Sequence, residues 1–303
     1  MRLSVGIIGT GWVGTSVAVS TLQNGAAAEV LLYDVRAEIA EGEAMDLAHG
    51  APFYPPAVVR TASIEEMHAC GAIVVTAGRG GRPGETRLDL LRDNANIIRD
   101  IGTRLRDFPG IIVMVTNPVD VLTAVMTAAC GLPPSRVLGT GTMLDTARLR
   151  QILGQELRVD PRSVHAQVVG EHGDSEVVLW NEANVGGRRL RDWPGWSESH
   201  EAPGAGRGRP AAYEIIKRKG ATNHAIGLVA AALLKYMLRG DRRVLTISRV
   251  QEGACGIRDV ALSLPTVVDA DGAASVIEPE LSNEERARLH ASAETLRQAS
   301  TSL

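Results

Sequence analysis

The feature that most constrains this chain lies in its first 23 residues. An apolar segment from Leu3 to Ile8 leads into Gly9-Thr10-Gly11-Trp12-Val13-Gly14, and a helix is predicted from Thr15 to Gln23. The segment is apolar throughout, which is typical of a strand buried on both faces of a parallel sheet. A strand, G-x-G-x-x-G and a helix in this order form the dinucleotide-binding fingerprint in its required context.

Each glycine of this motif has a physical reason. Gly9 allows the tight turn, Gly11 lets the backbone approach a pyrophosphate, and Gly14 lets the helix pack on the strand. The next predicted strand, Glu29 to Tyr33, ends in Asp34. An acid there accepts hydrogen bonds from both ribose hydroxyls and repels a 2′-phosphate, which favours NAD over NADP. The alternative interpretation is that the glycines serve only a tight turn. The strand, the helix and the acid, found together, argue against this alternative.

Strands and helices continue to alternate through the first half. Strands are predicted at Ala72 to Thr76 and Ile111 to Thr116, and helices at Glu85 to Arg106 and after Asn117-Pro118. This pattern predicts an α/β fold with a Rossmann doubly wound parallel sheet, whose ligands lie at the carboxyl ends of its strands. The candidate cofactor-binding residues are Gly9, Gly11, Trp12, Val13, Gly14, Asp34, Gly78, Arg79, Val115, Thr116, Asn117 and Thr140.

From about Gly141 the alternation is lost. We therefore expect an NAD-binding domain over residues 1–140 and an α+β substrate domain over residues 141–303. A helix predicted from Met143 to Leu157 places Asp145 and Arg148 on one face, for which the simplest interpretation is a local ion pair. An apolar strand is predicted from Val164 to Val169.

Later segments carry less information about function. The stretch from Trp193 to Pro210 is rich in Gly, Pro and charge and is interpreted as an irregular connection. Helices are predicted at Ala211 to Lys219 and Thr222 to Leu238. The apolar face of the second is predicted at Ala225, Leu228, Val229, Ala232 and Leu233.

The stretch Val169-Gly170-Glu171-His172-Gly173-Asp174-Ser175 places one histidine between glycines and acids. Taken alone, a histidine in such a loop is more often a turn residue than a catalyst. The chemistry of a dehydrogenase nevertheless needs a proton donor, and His172 is the candidate that this chain offers.

Composition limits the classes of partner. The formal net charge of −3 gives no general attraction to nucleic acid or to an acidic membrane surface. The three cysteines are far apart and odd in number, which argues against a disulfide framework and for a reducing compartment, and no Cys or Cys/His cluster suggests a metal. With no signal-peptide pattern ahead of Leu3 and no apolar run of membrane-spanning length, we expect a cytoplasmic protein.

Six motifs in order make the chain resemble the L-lactate/malate dehydrogenase family over nearly its full length. The first is the glycine motif at residues 9–14. The other five are Pro83-Gly84-Glu85-Thr86-Arg87-Leu88-Asp89-Leu90, Thr116-Asn117-Pro118-Val119-Asp120, Leu144-Asp145-Thr146-Ala147-Arg148, Gly170-Glu171-His172-Gly173-Asp174-Ser175 and Lys219-Gly220-Ala221-Thr222. The loop and histidine motifs are more similar to lactate than to malate enzymes.

The resemblance implies a role for each site residue. His172 exchanges a proton with the C2 oxygen of a 2-hydroxy or 2-oxo acid, and Asp145 holds the imidazole and stabilises its charged form. Arg87, carried in by a closing loop at residues 78–87, polarises the carbonyl. Arg148 binds the substrate carboxylate with its planar fork, and Asn117 adds a hydrogen bond near the reacting oxygen.

Gly81 departs from the family pattern at the position that selects the substrate side chain. Lactate enzymes usually carry Gln there and malate enzymes Arg. Without Arg the second carboxylate of oxaloacetate has no partner, unless Arg79 or Arg82 supplies one. Without Gln the pocket loses a wall, so branched or aromatic 2-oxo acids are alternatives. Thr222 matches the lactate-type pocket wall, which ranks lactate-like substrates first.

A further match concerns regulation. In bacterial relatives activated by fructose 1,6-bisphosphate, an arginine and a histidine at the positions of Arg150 and His165 bind phosphate across a subunit interface. The resemblance thus implies an allosteric homotetramer or a homodimer that works in glycolysis, and the alternative is a solvated arginine and a strand histidine. A non-catalytic NAD-binding protein with the same fold is the alternative from another class. Retention of His172, Asp145, Arg87 and Arg148 together argues against it.

Overall fold

The computed structural model describes residues 3–81, 84–197, 200–201, 214–215 and 217–303, without the side chain of Arg87. The prediction for residues 193–210 therefore falls largely outside the described residues. Within the predicted helix at 211–219, the described residues 214–215 and 217–219 are helical. In the described part the longer helices are α1 (Trp12–Gln23), α2 (Ala37–His49), α3 (Arg87–Arg104), α4 (Val119–Cys130), α5 (Met143–Leu157), α6 (His224–Arg239) and α7 (Asn283–Thr301). None of these helices is long and apolar enough to cross a membrane.

The first half of the chain forms six parallel strands. They are β1 (Ser4–Ile8), β2 (Glu29–Tyr33), β3 (Val58–Thr61), β4 (Ala72–Val75), β5 (Ile111–Met114) and β6 (Val137–Gly139). Their spatial order is β3-β2-β1-β4-β5-β6, with every neighbouring pair parallel. The chain leaves β1 in one direction and returns to its other side at β4, so a crevice forms between these strands at their carboxyl ends. The Rossmann prediction is confirmed.

The second half adds antiparallel strands to the same sheet. Strands β12 (Arg243–Glu252), β13 (Arg258–Asp269) and β14 (Gly272–Val276) continue it beyond β6 through the pair Ser248 and Gly139. Two small sheets are built from β7 (Val164–His165), β8 (Val168–Val169), β9 (Val177–Val178), β10 (Asn184–Val185) and β11 (Arg188–Arg189). The single strand expected over 164–169 is thus wrong, because β7 pairs with β10 while β8 pairs with β9.

Two of the hydrophobic clusters contain residues from both halves of the chain. One joins Ile8 and Phe108 with Leu289, and another joins Val17 with Leu234. A third, around Leu153, belongs to the second half. The division at residues 140 and 141 stays a prediction.

Helices α1 and α6 touch at small residues. A Cβ added at Gly227 would lie 2.7 Å from the backbone of Ser16, and the Asn223 side-chain amide donates to the Ser16 hydroxyl at 2.9 Å. This contact sets which side of α6 faces inward. The predicted apolar face is only partly right. Leu233 is fully buried as expected, but Leu228 is 64% exposed, and Ala230 and Ala231, which were not predicted, are fully buried.

Candidate active site

His172 lies in the loop between β8 and β9, after Gly170, whose φ of +83° suits a residue without a Cβ. Its Nδ1 atom is 2.5 Å from Oδ2 of Asp145 on α5. Because Asp145 engages Nδ1, the other ring nitrogen, Nε2, is the one that can exchange a proton with a substrate. The structure therefore brings together two residues that are 27 positions apart in the sequence.

Asp145 also contacts Arg148 on the same face of α5. Its Oδ1 atom accepts a hydrogen bond of 3.0 Å from Nη1 of Arg148, and its carboxylate is only 11% exposed. A guanidinium group has five N–H donors, and this hydrogen bond uses one. Arg148 is thus held in place by Asp145 while most of its donors stay free to bind a planar anion such as a carboxylate.

The charges of this group favour a protonated histidine. Burial alone would lower the pKa of His172, but the hydrogen bond and charge of Asp145 outweigh it, so that the pKa lies above its usual value. Burial would likewise raise the pKa of Asp145, and its contacts with His172 and Arg148 outweigh that effect and lower it. The pair is suited to hold a proton as imidazolium beside carboxylate and to deliver it from Nε2.

The glycine motif fits a dinucleotide. Gly9 has a φ of +100°, and a Cβ there would lie 2.7 Å from the Ala77 amide nitrogen. A Cβ at Gly14 would lie 1.9 Å from the Gly9 carbonyl oxygen, so the helix packs directly on the turn. Gly11, in contrast, faces open space at the N-terminus of α1. A pyrophosphate can approach the backbone there and face the positive end of the helix dipole.

Asp34 stands at the end of β2, beside this turn. Its Oδ2 accepts from the Thr10 amide at 2.9 Å, and its Oδ1 accepts from the Arg36 amide at 3.0 Å. Burial would raise its pKa, but these hydrogen bonds outweigh it and the pKa is lowered. The carboxylate is therefore ionised and fixed, as the recognition of ribose hydroxyls requires.

The other predicted cofactor-binding positions line the same end of the sheet. Gly78 packs so closely that its Cβ would lie 2.6 Å from Thr116 Cγ2, and the Thr116 hydroxyl donates to the Ala77 carbonyl at 2.8 Å. Thr140 directly follows β6 and is buried. The remaining positions vary in exposure, with Trp12 and Asn117 exposed, Val13 half-buried and Val115 buried.

The loop after β4 is held by acids of its own region. The Arg79 guanidinium pairs with Glu85 and Asp93, while its backbone amide donates to the Asn94 side chain at 2.8 Å. Arg79 is thus paired within its own region, and the alternative partner Arg82 lies outside the described residues. Arg87 begins α3, and its side chain lies outside what the structure describes.

The two positions expected to shape the substrate side chain differ in exposure. Gly81 is exposed, and among the described residues a Cβ there would meet only Leu90 Cδ2 at 3.6 Å, an ordinary contact distance. Thr222 is half-buried and lies two residues before α6. Neither position fixes the size of a substrate side chain by itself.

Two residues in direct contact with the histidine loop had no role in the sequence interpretation. Asp120 of α4 accepts a hydrogen bond of 2.7 Å from the His172 amide, and Ser292 of α7 accepts one of 2.8 Å from the Glu171 amide. Asp120 has a local signal, because an acid between Val119 and Val121 in an otherwise apolar helix indicates a buried carboxylate. Ser292, 121 residues from Glu171, has none.

A dinucleotide cradle beside a linked histidine, aspartate and arginine is the architecture of an NAD-dependent dehydrogenase. Models of the lactate/malate dehydrogenase NAD binding domain and alpha/beta C-terminal domain match residues 3–139 and 142–302. The chain belongs to the lactate/malate dehydrogenase family, and it is an oxidoreductase that uses NAD and acts on a CH–OH group.

Relatives named L-lactate dehydrogenase match over the whole chain. The one from Synechococcus sp. (strain JA-3-3Ab) is 43% identical over 98% of both chains. The one from Salinibacter ruber is 45% identical over 100% of this chain and 98% of its own. Among solved structures, the minor L-lactate dehydrogenase of Enterococcus mundtii in a ligand-bound form has a TM-score of 0.93 and 38% identity over 100% of this chain and 98% of its own. The lactate dehydrogenase MGS-M5 from a deep-sea metagenome has a TM-score of 0.95 and 38% identity over 99% of this chain and 98% of its own.

Proposed function

We propose that the protein reduces pyruvate to L-lactate with NADH and catalyses the reverse reaction with NAD. The observation that carries this proposal is the 2.5 Å contact between His172 Nδ1 and Asp145 Oδ2, with Arg148 bonded to the same carboxylate. The choice of pyruvate and lactate as substrates is supported by the relatives, which are named L-lactate dehydrogenase.

When bound, NADH supplies the hydride that adds to C2 of the 2-oxo acid. The chain's own residues bind the substrate and supply the proton. His172 donates from Nε2 to the C2 oxygen as negative charge develops there, and Asp145 stabilises the imidazolium before that transfer. Arg148 binds the substrate carboxylate in two parallel hydrogen bonds and so fixes C2 relative to the histidine. By the family resemblance, Arg87 polarises the carbonyl and Asn117 donates a hydrogen bond nearby.

The substrate class is tested with a panel. The values of kcat/KM with NADH are compared for pyruvate, oxaloacetate and 2-oxoisocaproate, and pyruvate is expected to be highest. A higher value for oxaloacetate would make the chain a malate dehydrogenase, and one for 2-oxoisocaproate a branched-chain 2-hydroxyacid dehydrogenase. Gly81 keeps both alternatives open, because it offers neither a charge nor a wall.

We also propose that fructose 1,6-bisphosphate activates the enzyme at Arg150 and His165. Both line a cavity of about 330 Å³, together with Gln167 and Asn184. Arg150 Nε donates to the Ala166 carbonyl at 2.9 Å, which leaves the terminal guanidinium nitrogens for an anion.

Activation is tested with saturating fructose bisphosphate, which should lower the pyruvate half-saturation in the wild type and not in Arg150→Gln. Arg162→Gln is the control, because Arg162 is exposed and paired with Asp160. An unchanged half-saturation and an unchanged oligomer size in the wild type would refute the proposal.

A homo-oligomer, dimer or tetramer, is proposed from exposed apolar side chains. Leu228 of α6 and Met45 of α2 are 64% and 62% exposed, and Trp12 is equally exposed. Trp12 and Leu228 line one cleft, and exposed apolar side chains grouped in this way mark contact surfaces. Sedimentation equilibrium should give more than one chain per particle, and Met45→Glu should reduce that number. Arg297→Glu on α7 is the control, and a wild-type monomer would contradict the proposal.

We also propose, from the activity, that the protein is located in the cytoplasm and works in glycolysis.

A further inference from the structure

Two successive backbone amides of the histidine loop are held by buried side chains from distant helices. The Glu171 amide donates to the Ser292 hydroxyl at 2.8 Å, and the His172 amide donates to Asp120 Oδ2 at 2.7 Å. Ser292 is fully buried and Asp120 is 1% exposed. The loop that carries the catalytic imidazole is therefore fixed from α4 on one side and from α7 on the other.

The two supports differ in charge. A backbone amide needs one acceptor, and the neutral hydroxyl of Ser292 is sufficient for the Glu171 amide. Asp120, in contrast, uses a full carboxyl group to accept the hydrogen bond of the His172 amide. In the described structure its Oδ1 atom and the nearby Ser248 hydroxyl are buried, and neither makes a hydrogen bond of normal geometry. Burying a carboxylate with one oxygen unsatisfied is costly, so the amide bond alone does not explain why an acid stands here.

We propose that Asp120 is a positioning residue that also supplies a second negative charge behind His172, so that it and Asp145 together favour the imidazolium form. The inference rests on the proposed function, in which His172 is the proton donor. Asp120 does not touch the substrate. It acts through the backbone and the charge of His172.

The charged groups around both residues agree with this role. Asp145 and Asp120 each favour the charged imidazole, and Arg148 opposes it. Around Asp120, burial raises the pKa to about 6, Glu171 acts in the same direction, and Ser248 and His172 oppose it. The charge of Asp120 is therefore present above about pH 6 and is lost below it. Its effect on His172 covers the neutral and alkaline range in which a proton donor must be kept charged.

The variant Asp120→Asn separates the charge from the hydrogen bond, because the asparagine oxygen can still accept from the His172 amide. We expect the alkaline limb of kcat/KM for pyruvate reduction to move down by about one pH unit, the effect of one nearby charge in a partly screened interior. The acid limb of lactate oxidation, which requires neutral His172, should move down with it.

The matched control is Ser292→Ala, which removes the hydrogen bonds from the Glu171 amide and the Ser175 hydroxyl to the loop's other support without changing a charge. It should lower kcat and leave both pH limbs in place. Asp120 would have only a structural role if the alkaline limb of Asp120→Asn stayed at the wild-type pH. The same conclusion would follow if the limb of Ser292→Ala moved as far as that of Asp120→Asn.

A second variant and a second measurement guard against poor folding of Asp120→Asn. Ser248→Ala removes the nearby hydroxyl, which favours the charged form of Asp120 without a hydrogen bond of normal geometry, and it should move the limb in the same direction by less. The pH dependence of the reaction of His172 with diethyl pyrocarbonate, followed by mass spectrometry of its peptide, reports its pKa without turnover. This midpoint should fall in Asp120→Asn and stay unchanged in Ser292→Ala, and an equal midpoint in Asp120→Asn and wild type would overturn the proposal. If the wild type reduces no 2-oxo acid, the proposed function fails while this titration still decides the role of Asp120.

Discussion

Replacing Asp145 by asparagine should remove most of the activity, and the structure sets the magnitude. The buried Asp145 carboxylate accepts from Arg148 at 3.0 Å and lies 2.5 Å from His172. Asparagine has one acceptor oxygen, so it can serve only one of the two. Breaking a buried charged pair costs roughly 3–5 kcal/mol. Since each 1.36 kcal/mol is a factor of ten in rate, kcat/KM for pyruvate should fall by roughly 10²- to 10⁴-fold.

The direction of the pH dependence follows from the pKa of His172. Asp145 raises it, so that the protonated form persists to higher pH than in an isolated histidine. Without this carboxylate the pKa falls, and pyruvate reduction should lose activity at a lower pH than in the wild type.

The assay is steady-state reduction of pyruvate between pH 5 and 9, with NADH fluorescence as a check that cofactor binding is retained. Asp160→Asn makes the same chemical change in an exposed pair with Arg162 and should leave kcat/KM unchanged. A loss of less than threefold in Asp145→Asn, or an unmoved pH limb, would refute the assigned role of Asp145.

Three further predictions concern substrate, chemistry and cofactor. Gly81→Arg should raise the ratio of kcat/KM for oxaloacetate to that for pyruvate by roughly 10- to 100-fold, because a charge-assisted hydrogen bond contributes about 1.5–3 kcal/mol and a Cβ at Gly81 contacts the described residues only at an ordinary distance. An unchanged ratio would remove Gly81 from the pocket. His172→Asn should abolish turnover and spare NADH binding measured by fluorescence, and substantial remaining turnover would overturn its role. Asp34→Asn should raise the NADPH to NADH ratio of kcat/KM about tenfold, since it removes the repulsion of a 2′-phosphate, and no change would place the ribose elsewhere.

The cofactor end of the fold could be predicted from local sequence. The turn at Gly9 and the acid at Asp34 are each next to a buried strand, so their relation to the sheet follows from the order of elements. The pairing of Asp145 with His172 is not local, and only the family resemblance brought these residues together before the structure did.

The rest depends on long-range packing. The buried side of α6 could not be read from periodicity, because apolar residues cover more than one face and the contact with Ser16 decides which is inside. Strands β12 to β14 have no local signal for the edge that they join. The bond from Ser292 to the Glu171 amide spans 121 positions.

The contact between Gly227 and Ser16 has a consequence for how this enzyme can be recombined with its relatives. The family boundary between residues 139 and 142 suggests that the two halves could be exchanged as modules. Yet a side chain at Gly227 would collide with the backbone of α1, and overpacking of this kind typically costs about 1–3 kcal/mol. In a chimera, residue 227 from one parent must therefore fit against the backbone of Ser16 from the other. Only parents with a glycine at the position of Gly227, where it packs on α1, can exchange halves without repacking this contact.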